Sequence, residues 1–260
     1  MWEIFKPEDT VWYCWRLNGA DAYLRKNGGS WQTAFNTIPF CERTSELSGP
    51  KIQEPPETLP LTRAWGIGEE IFLHPYLSSQ PYLLKAKEKI RLAYGQQISF
   101  TAILPPNLKF EITQDIVLNE AMPLAPQKTL IGQDPMTGIL AHCLSDCFTP
   151  KEEGEKNENP SIFIQCEVII KNNDKNMFEI QEFAIFPEQL NVYVCNDKLF
   201  ADTVEYENCG ESLGSEQKTT ISQIKNSDYR LISAAAKNGA NDTLVRQSVD
   251  ILKNIARGMS

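Results

Sequence analysis

IRLAYGQQISFTAILPPNLKFEIT, residues 90–113, holds three short runs of β-branched, aromatic and alternating residues, broken only at Gly95 and at Pro105-Pro106-Asn107. Runs this short, separated by turn formers alone, leave no room for helical crossovers and read as strands joined tightly in antiparallel fashion. The same texture extends outward in both directions. Upstream, Val11, Tyr13, Trp15 and Leu17 alternate with Trp12, Cys14 and Arg16 before Asn18-Gly19, a pair suited to a tight hairpin turn. A returning strand over 20–25, the turn Asn27-Gly28-Gly29 and a third strand over 30–36 complete a meander. Further strands are expected at 70–72, 82–85, 90–94, 98–104, 109–113, 116–119 and 139–148. Residues 41–68, which hold four of the sixteen prolines, and residues 125–138 read as irregular connections.

Downstream, Ile162, Ile164, Cys166, Val168 and Ile170 alternate with Phe163, Gln165, Glu167 and Ile169, the pattern of a long strand with one wholly buried face. Strands at 178–186, 191–196 and 203–206 follow. The period changes only near the end. Leu244, Val245, Ser248, Ile251, Leu252 and Ile255 fall on one helical stripe, with Asp242 near an N-cap and Gly258 past the last turn. A shorter helix over 228–237, capped by Ser227 and stopped by Asn238-Gly239, is expected before it. The fold class is therefore mainly β, an antiparallel sandwich-like architecture of one or two packed units with a C-terminal helix. TPKEEGEKNENP, residues 149–160, has no aliphatic side chain. It divides the chain into a β-rich unit over 1–150 and a β unit with the C-terminal helix over 161–260, with 151–160 a seam, or it is an exposed loop of a single domain.

Charge and composition narrow the partners. The chain has 260 residues and 34 acidic against 25 basic side chains, a formal charge of -9, so its general field repels phosphate backbones and anionic lipid. Nucleic acid is not an expected partner. The densest basic stretch, KAKEKIR at 85–91, contains Glu88 and reads as a solvated strand edge or turn. The N-terminal sequence has neither a basic n-region nor an apolar h-region, and no segment approaches the roughly 20 apolar residues of a membrane span. A cytoplasmic protein, not embedded in a membrane, is expected. The seven cysteines are odd in number and scattered, and so read as reduced thiols.

The residues that carry chemistry are few. Gly210-Glu211-Ser212-Leu213-Gly214 satisfies the G-x-S-x-G pattern of a nucleophile elbow, but poor helix formers follow it and neither histidine, His74 or His142, lies beyond it. The densest set of potential ligands is His142, Cys143, Asp146 and Cys147, preceded by Asp134. Strand alternation places His142 and Cys143 on opposite faces, so no zinc set forms, and neither a metal nor a cofactor is expected. Trp12, Trp15, Trp31 and Tyr23 would make a stacking platform if exposed; alternation in a strand favours the core.

Certain segments resemble a widespread prokaryotic family known only as a domain of unknown function. They are WRLNGADAYLRK, IFLHPYLSSQPYLLKAKEKIRLAYGQQ, LNEAMPLAPQKTLIGQDPMTGILAH and the closing LVRQSVDILKNI. Within the third, Leu118 to Pro123 carries one residue more than the family's pattern, and Gly132 to Gly138 does the same in the turn that follows. The resemblance implies an all-β fold, a cytoplasmic prokaryotic setting and, from relatives encoded beside mechanosensitive channels, an accessory role to a membrane protein; it brings no catalytic residues. The expected function is a non-enzymatic binding or interaction module with a protein or small-molecule partner. The alternatives are a hydrolase or isomerase on a β scaffold, with Asp134 and His142 as its candidate catalytic residues, and a homo-oligomeric structural protein.

Overall fold

The structure is a computed structural model that describes residues 1–17, 19–37, 47–112, 116–131, 138–145, 162–209 and 218–236. The first strands in chain order are β1 (Ile4–Phe5), β2 (Trp12–Leu17), β3 (Ala20–Asn27), β4 (Ser30–Thr37), β5 (Leu47–Ile52), β6 (Thr62–Trp65) and β7 (Ile71–Tyr76). They are followed by β8 (Tyr82–Leu92), β9 (Gln97–Leu104), β10 (Asn107–Ile112), β11 (Ile116–Ala121), β12 (Gln127–Ile131) and β13 (Ile139–Ser145). The series ends with β14 (Ile164–Asn172), β15 (Phe178–Ile185), β16 (Val192–Cys195), β17 (Lys198–Asn208), β18 (Lys218–Ser222) and β19 (Arg230–Ser233). The only helical element among the described residues is one 3-10 turn, Pro187–Gln189.

Four sheets result. The first has the order β1-β7-β10-β11 and the second β5-β2-β3-β4-β6. The third has the order β12-β13-β8-β15, and the fourth runs β19-β16-β17-β14-β9 with β18 also on β17. The architecture is mainly β and built of packed, mostly antiparallel sheets. Two pairings, β13 with β8 and β14 with β17, are parallel. Ladders also run across the position of residues 151–160, because β14 pairs with β9 and β15 with β8.

β14 is the centre of the main core. Ile162, Ile164, Cys166, Val168 and Ile170 are all fully buried, as alternation predicts. The strand ends at Asn172, whose amide donates to the carbonyls of Leu92 and Asn176, while its oxygen accepts from Asp174 N–H and the Asn208 amide. A fully buried polar side chain is tolerated there because every hydrogen-bonding group on it is paired. Asp202, equally buried, is satisfied by the Asn191 backbone and side-chain N–H groups and the Tyr193 hydroxyl, with Ile224 N–H as a longer fourth donor.

Several connections differ from expectation. Residues 41–68 contain β5 and β6, and residues 125–138 contain β12; all three lie at sheet edges, where one-sided pairing tolerates weak strand formers and Pro50. The expected strands at 82–85 and 90–94 merge into β8, an interior strand. The KAKEKIR stretch therefore lies within a strand, where a register shift between the Ile90↔Ile180 and Lys85↔Glu182 pairs accommodates it. Lys85 pairs with Glu182, and both Lys89 and Arg91 pair with Glu179. The expected helix over 228–237 is instead occupied by β19, because the edge of β16 offers Tyr193 and Val194 as ladder partners to Leu231 and Arg230. The amphipathic stripe over 242–257 and the G-x-S-x-G match at 210–214 lie outside the described residues. The aromatic platform is not exposed: Trp12, Trp15, Trp31 and Tyr23 are all buried.

Two glycines are required by geometry. Gly28, at φ 57°, sits in the two-residue turn between the paired Asn27 and Ser30. Gly68 lies against the fully buried Ile112, and a Cβ there would stand 2.2 Å from Ile112 Cγ2. Gly68→Ala should therefore destabilise the fold by about 1–3 kcal/mol in urea titration, because a core side chain must move. Ile170→Ala should lose about 2–5 kcal/mol. By contrast, Glu167→Ala on the opposite face of β14 should stay within about 0.5 kcal/mol, and equal losses for Ile170→Ala and Glu167→Ala would contradict the burial of that strand.

Candidate functional site

His142 lies on β13 and is 4% exposed. Its Nε2 is 3.1 Å from the Ser78 hydroxyl, itself buried, and its ring is tilted against that of Tyr82 at 5.4 Å between centroids. The Ser78 oxygen also accepts the Gln80 N–H, and the Tyr82 hydroxyl donates to the Pro105 carbonyl. Nδ1 of His142 is buried without a hydrogen-bond partner. This hydroxyl–imidazole pair is enclosed by the protein, and among the described residues no carboxylate orients the ring, as a nucleophile–base arrangement requires. Asp134, its expected partner, lies outside the described residues, as do Asp146 and Cys147. Burial pushes the Cys14 thiol up to about 11 and the Cys166 thiol up to about 12, so neither is a thiolate at neutral pH. Among the described residues no group of three or more His, Cys, Asp or Glu side chains is placed to hold a metal ion.

The first sheet presents a different arrangement. Its inner face sends Ile71 and Leu73 from β7, Leu108, Phe110 and Ile112 from β10, and Leu118 from β11 into the main core. Alternation forces the intervening residues outward, and register aligns them in rows. One row crosses all four strands as Ile4, Phe72, Glu111 and Val117. The next is His74, Lys109 and Glu120, and a third pairs Tyr76 with Asn107. The ends of the first row are open to solvent, Ile4 at 63% and Val117 at 43% exposure.

At the centre, Glu111 Oε2 accepts from His74 Nδ1 at 2.8 Å and from Lys109 Nζ at 2.9 Å. The Lys109 ammonium also lies over the Tyr76 ring, 5.6 Å from its centroid. The Tyr76 hydroxyl donates to Glu120 Oε2 at 2.9 Å. Phe72 and Tyr76 flank the imidazole, with ring centroids 5.2 and 6.4 Å away. A carboxylate bound through Nδ1 fixes the proton on that nitrogen and leaves Nε2 as a bare acceptor. Nε2 is shielded from solvent and has no hydrogen-bond partner among the described residues.

The electrostatics agree with this assignment. Burial lowers the His74 pKa and outweighs the opposing pull of Glu111, helped by the Lys109 charge. For Glu111, burial works upward but is overcome by hydrogen bonds from Lys109 and His74, which hold the carboxyl below its usual range. The neutral imidazole and the ionised carboxylate are thus the forms present at neutral pH. Burial lowers the His142 pKa as well, with Lys128 adding to the effect.

Nothing adjacent in the sequence singles out His74, because its partner Glu111 is 37 positions away and only the β7–β10 register joins them. The available signal was alternation itself: Phe72, His74 and Tyr76 against Lys109 and Glu111, each interleaved with core residues.

Over residues 1–252 the sequence matches the family described as "Protein of unknown function (DUF432)". The chain belongs to that family. The match spans all four sheets of this DUF432 protein, including every residue of the His74 face. No curated protein and no solved structure matches the chain.

Both imidazoles of this DUF432 protein have pKa values below the ordinary value of about 6.5. As pH falls below that value, the unfolded chain takes up protons that the folded chain does not, so stability decreases with acidification. Urea midpoints should drop between about pH 7 and pH 5.5, and the double variant His74→Gln/His142→Gln should flatten that slope. An unchanged slope in the variant would place the titrating groups elsewhere.

Proposed function

We propose that this DUF432 protein is a non-enzymatic binding module that engages a partner protein through the outer face of its first sheet. The observation that supports this most is the make-up of that face: exposed Ile4 and Val117 at the ends of one row, and in the row beside it an aromatic-walled, carboxylate-oriented imidazole. Further large apolar side chains are exposed on and beside β6, next to the core-facing residues of β10 and β11. Gly66 packs close to Ile112, Ile116 and Leu118, and its neighbours Trp65 and Ile67 are 73% and 96% exposed. Large apolar side chains grouped at a surface, beside fixed hydrogen-bonding groups, are the usual composition of a recognition patch. A cytoplasmic setting suits the five described cysteines, all free thiols, and no helix among the described residues is long and apolar enough to cross a membrane.

The enzyme alternative has one observation in its favour, the Ser78–His142 contact. Its burial counts against it, since a substrate cannot reach either group without the protein opening.

Comparative capture from the native host with quantitative mass spectrometry tests the proposal. A partner enriched on the wild type should be lost with Ile4→Asp/Val117→Asp, while thermal unfolding of the variant stays close to wild type. Equal enrichment on both proteins would remove this face from the reading. Native mass spectrometry of protein purified without chelator supplies the opposing check: a stoichiometric small-molecule adduct lost in His142→Ala would favour the enzyme instead.

A further inference from the structure

Building on the binding reading above, we propose that the partner presents an arginine side chain to this face, its guanidinium donating to His74 Nε2 with the Glu120 carboxylate as counter-charge. The argument is one of hydrogen-bonding capacity. The single-proton donors at the centre already have partners, His74 Nδ1–H in Glu111 and the Tyr76 hydroxyl in Glu120, while the Lys109 ammonium gives one of its three N–H groups to Glu111 and lies over the Tyr76 ring. Acceptor capacity remains on the lone pair of His74 Nε2 and the further lone pairs of the exposed Glu120 carboxylate. A ligand that engages these two groups must be a donor.

Charge selects among donors. Lys109 against Glu111 and Glu120 leaves this part of the face with one net negative charge, and the whole chain carries -9. A cation is favoured and an anion is repelled. The rings of Phe72 and Tyr76 then favour a flat, delocalised cation over a compact ammonium, because a guanidinium stacks on aromatic faces and is more weakly hydrated. The Lys109 ammonium already lies over the Tyr76 ring, which shows that this ring face accepts a cation. Nε2 is shielded, so the proposed contact requires a side chain to move, and the flexible Lys109 in the same cross-strand row as His74 is the one assigned to do so. Release of Lys109 also opens the Glu111 carboxylate to the guanidinium.

Titration calorimetry of the full chain at low salt, with capped tetra-arginine, tetra-lysine and tetra-glutamate peptides as probes, reads this directly. Tetra-arginine should bind, tetra-lysine more weakly and tetra-glutamate not at all. His74→Phe, which keeps the ring volume, and Glu120→Gln should each weaken tetra-arginine binding by about tenfold, the loss of one charge-assisted contact. Lys109→Ala should tighten it. Tetra-arginine binding that is unchanged in His74→Phe, or weakened in Lys109→Ala, overturns the proposal. The two levels separate cleanly. If tetra-arginine fails on the wild type while Ile4→Asp/Val117→Asp still loses the captured partner, the face is the binding site and the arginine assignment falls; if neither effect is seen, both fall.

Discussion

Everything in this molecule is arranged around the burial of β14. One face of the strand, from Ile164 to Ile170, has no solvent contact, and its two edges are occupied by β9 running antiparallel and β17 running parallel. A strand enclosed in this way has no freedom of register, since a slip of one residue would turn Gln165, Glu167 and Ile169 into the core. The Asn172 side chain closes the end of the strand by tying Leu92 at the end of β8 to Asn208 at the end of β17. To the apolar packing of the third and fourth sheets, such as Phe178 and Phe183 against Tyr206, this adds a link through one polar residue with all its hydrogen-bonding groups paired.

The outer face of the first sheet is a consequence of the same constraint. Leu108, Phe110 and Ile112 must enter the core beside Trp15 and Phe35, whose rings lie 5.4 and 5.3 Å from that of Phe110. That commitment sends Lys109 and Glu111 outward opposite His74 and Phe72, so the polar cluster is positioned by apolar residues that never touch it. The bulge between Phe110 and Glu111 brings Val117 opposite Glu111 and lets Leu118 reach the core. A sheet without that extra residue would not place an exposed valine at the end of the Glu111 row.

How legible each part was in the sequence follows from the range of the interaction that decides it. The alternation of residues 162–170 needed no partner to be recognised, because burial of every second side chain is written into one segment. The mostly antiparallel pairing followed from short turns such as that at Gly28-Gly29. β5, β6 and β12 were not legible, because an edge strand is recruited by its neighbour more than by its own propensity. The same holds for β19, where a helical reading of residues 228–237 gave way to the exposed edge of β16. The site was the least legible. His142 attracted attention through neighbouring cysteines and acids in sequence, yet the structure encloses it with Ser78 and Tyr82. His74 had nothing suggestive beside it, and its chemistry comes from a carboxylate on another strand.

Satisfied and unsatisfied polar groups distinguish scaffold from site. Asp202 and Asn172 are buried, and every acceptor they carry has a donor, so they specify the fold and have no capacity left for anything else. Asp21 is intermediate: Oδ2 takes the Tyr23 hydroxyl while Oδ1 has no partner, and burial raises its pKa, which favours the neutral carboxyl as an internal group. His74 differs from all three because its ring is oriented by one charged partner through one nitrogen while the other nitrogen is left without a donor, in a sheet face whose borders are exposed. An unpaired acceptor costs stability wherever it is buried. In the interior that cost has no return, whereas at the centre of a sheet face with exposed borders it would be recovered by the donor proposed above. That difference is the reason the proposed binding face is centred on the His74 row rather than on the more conspicuous His142.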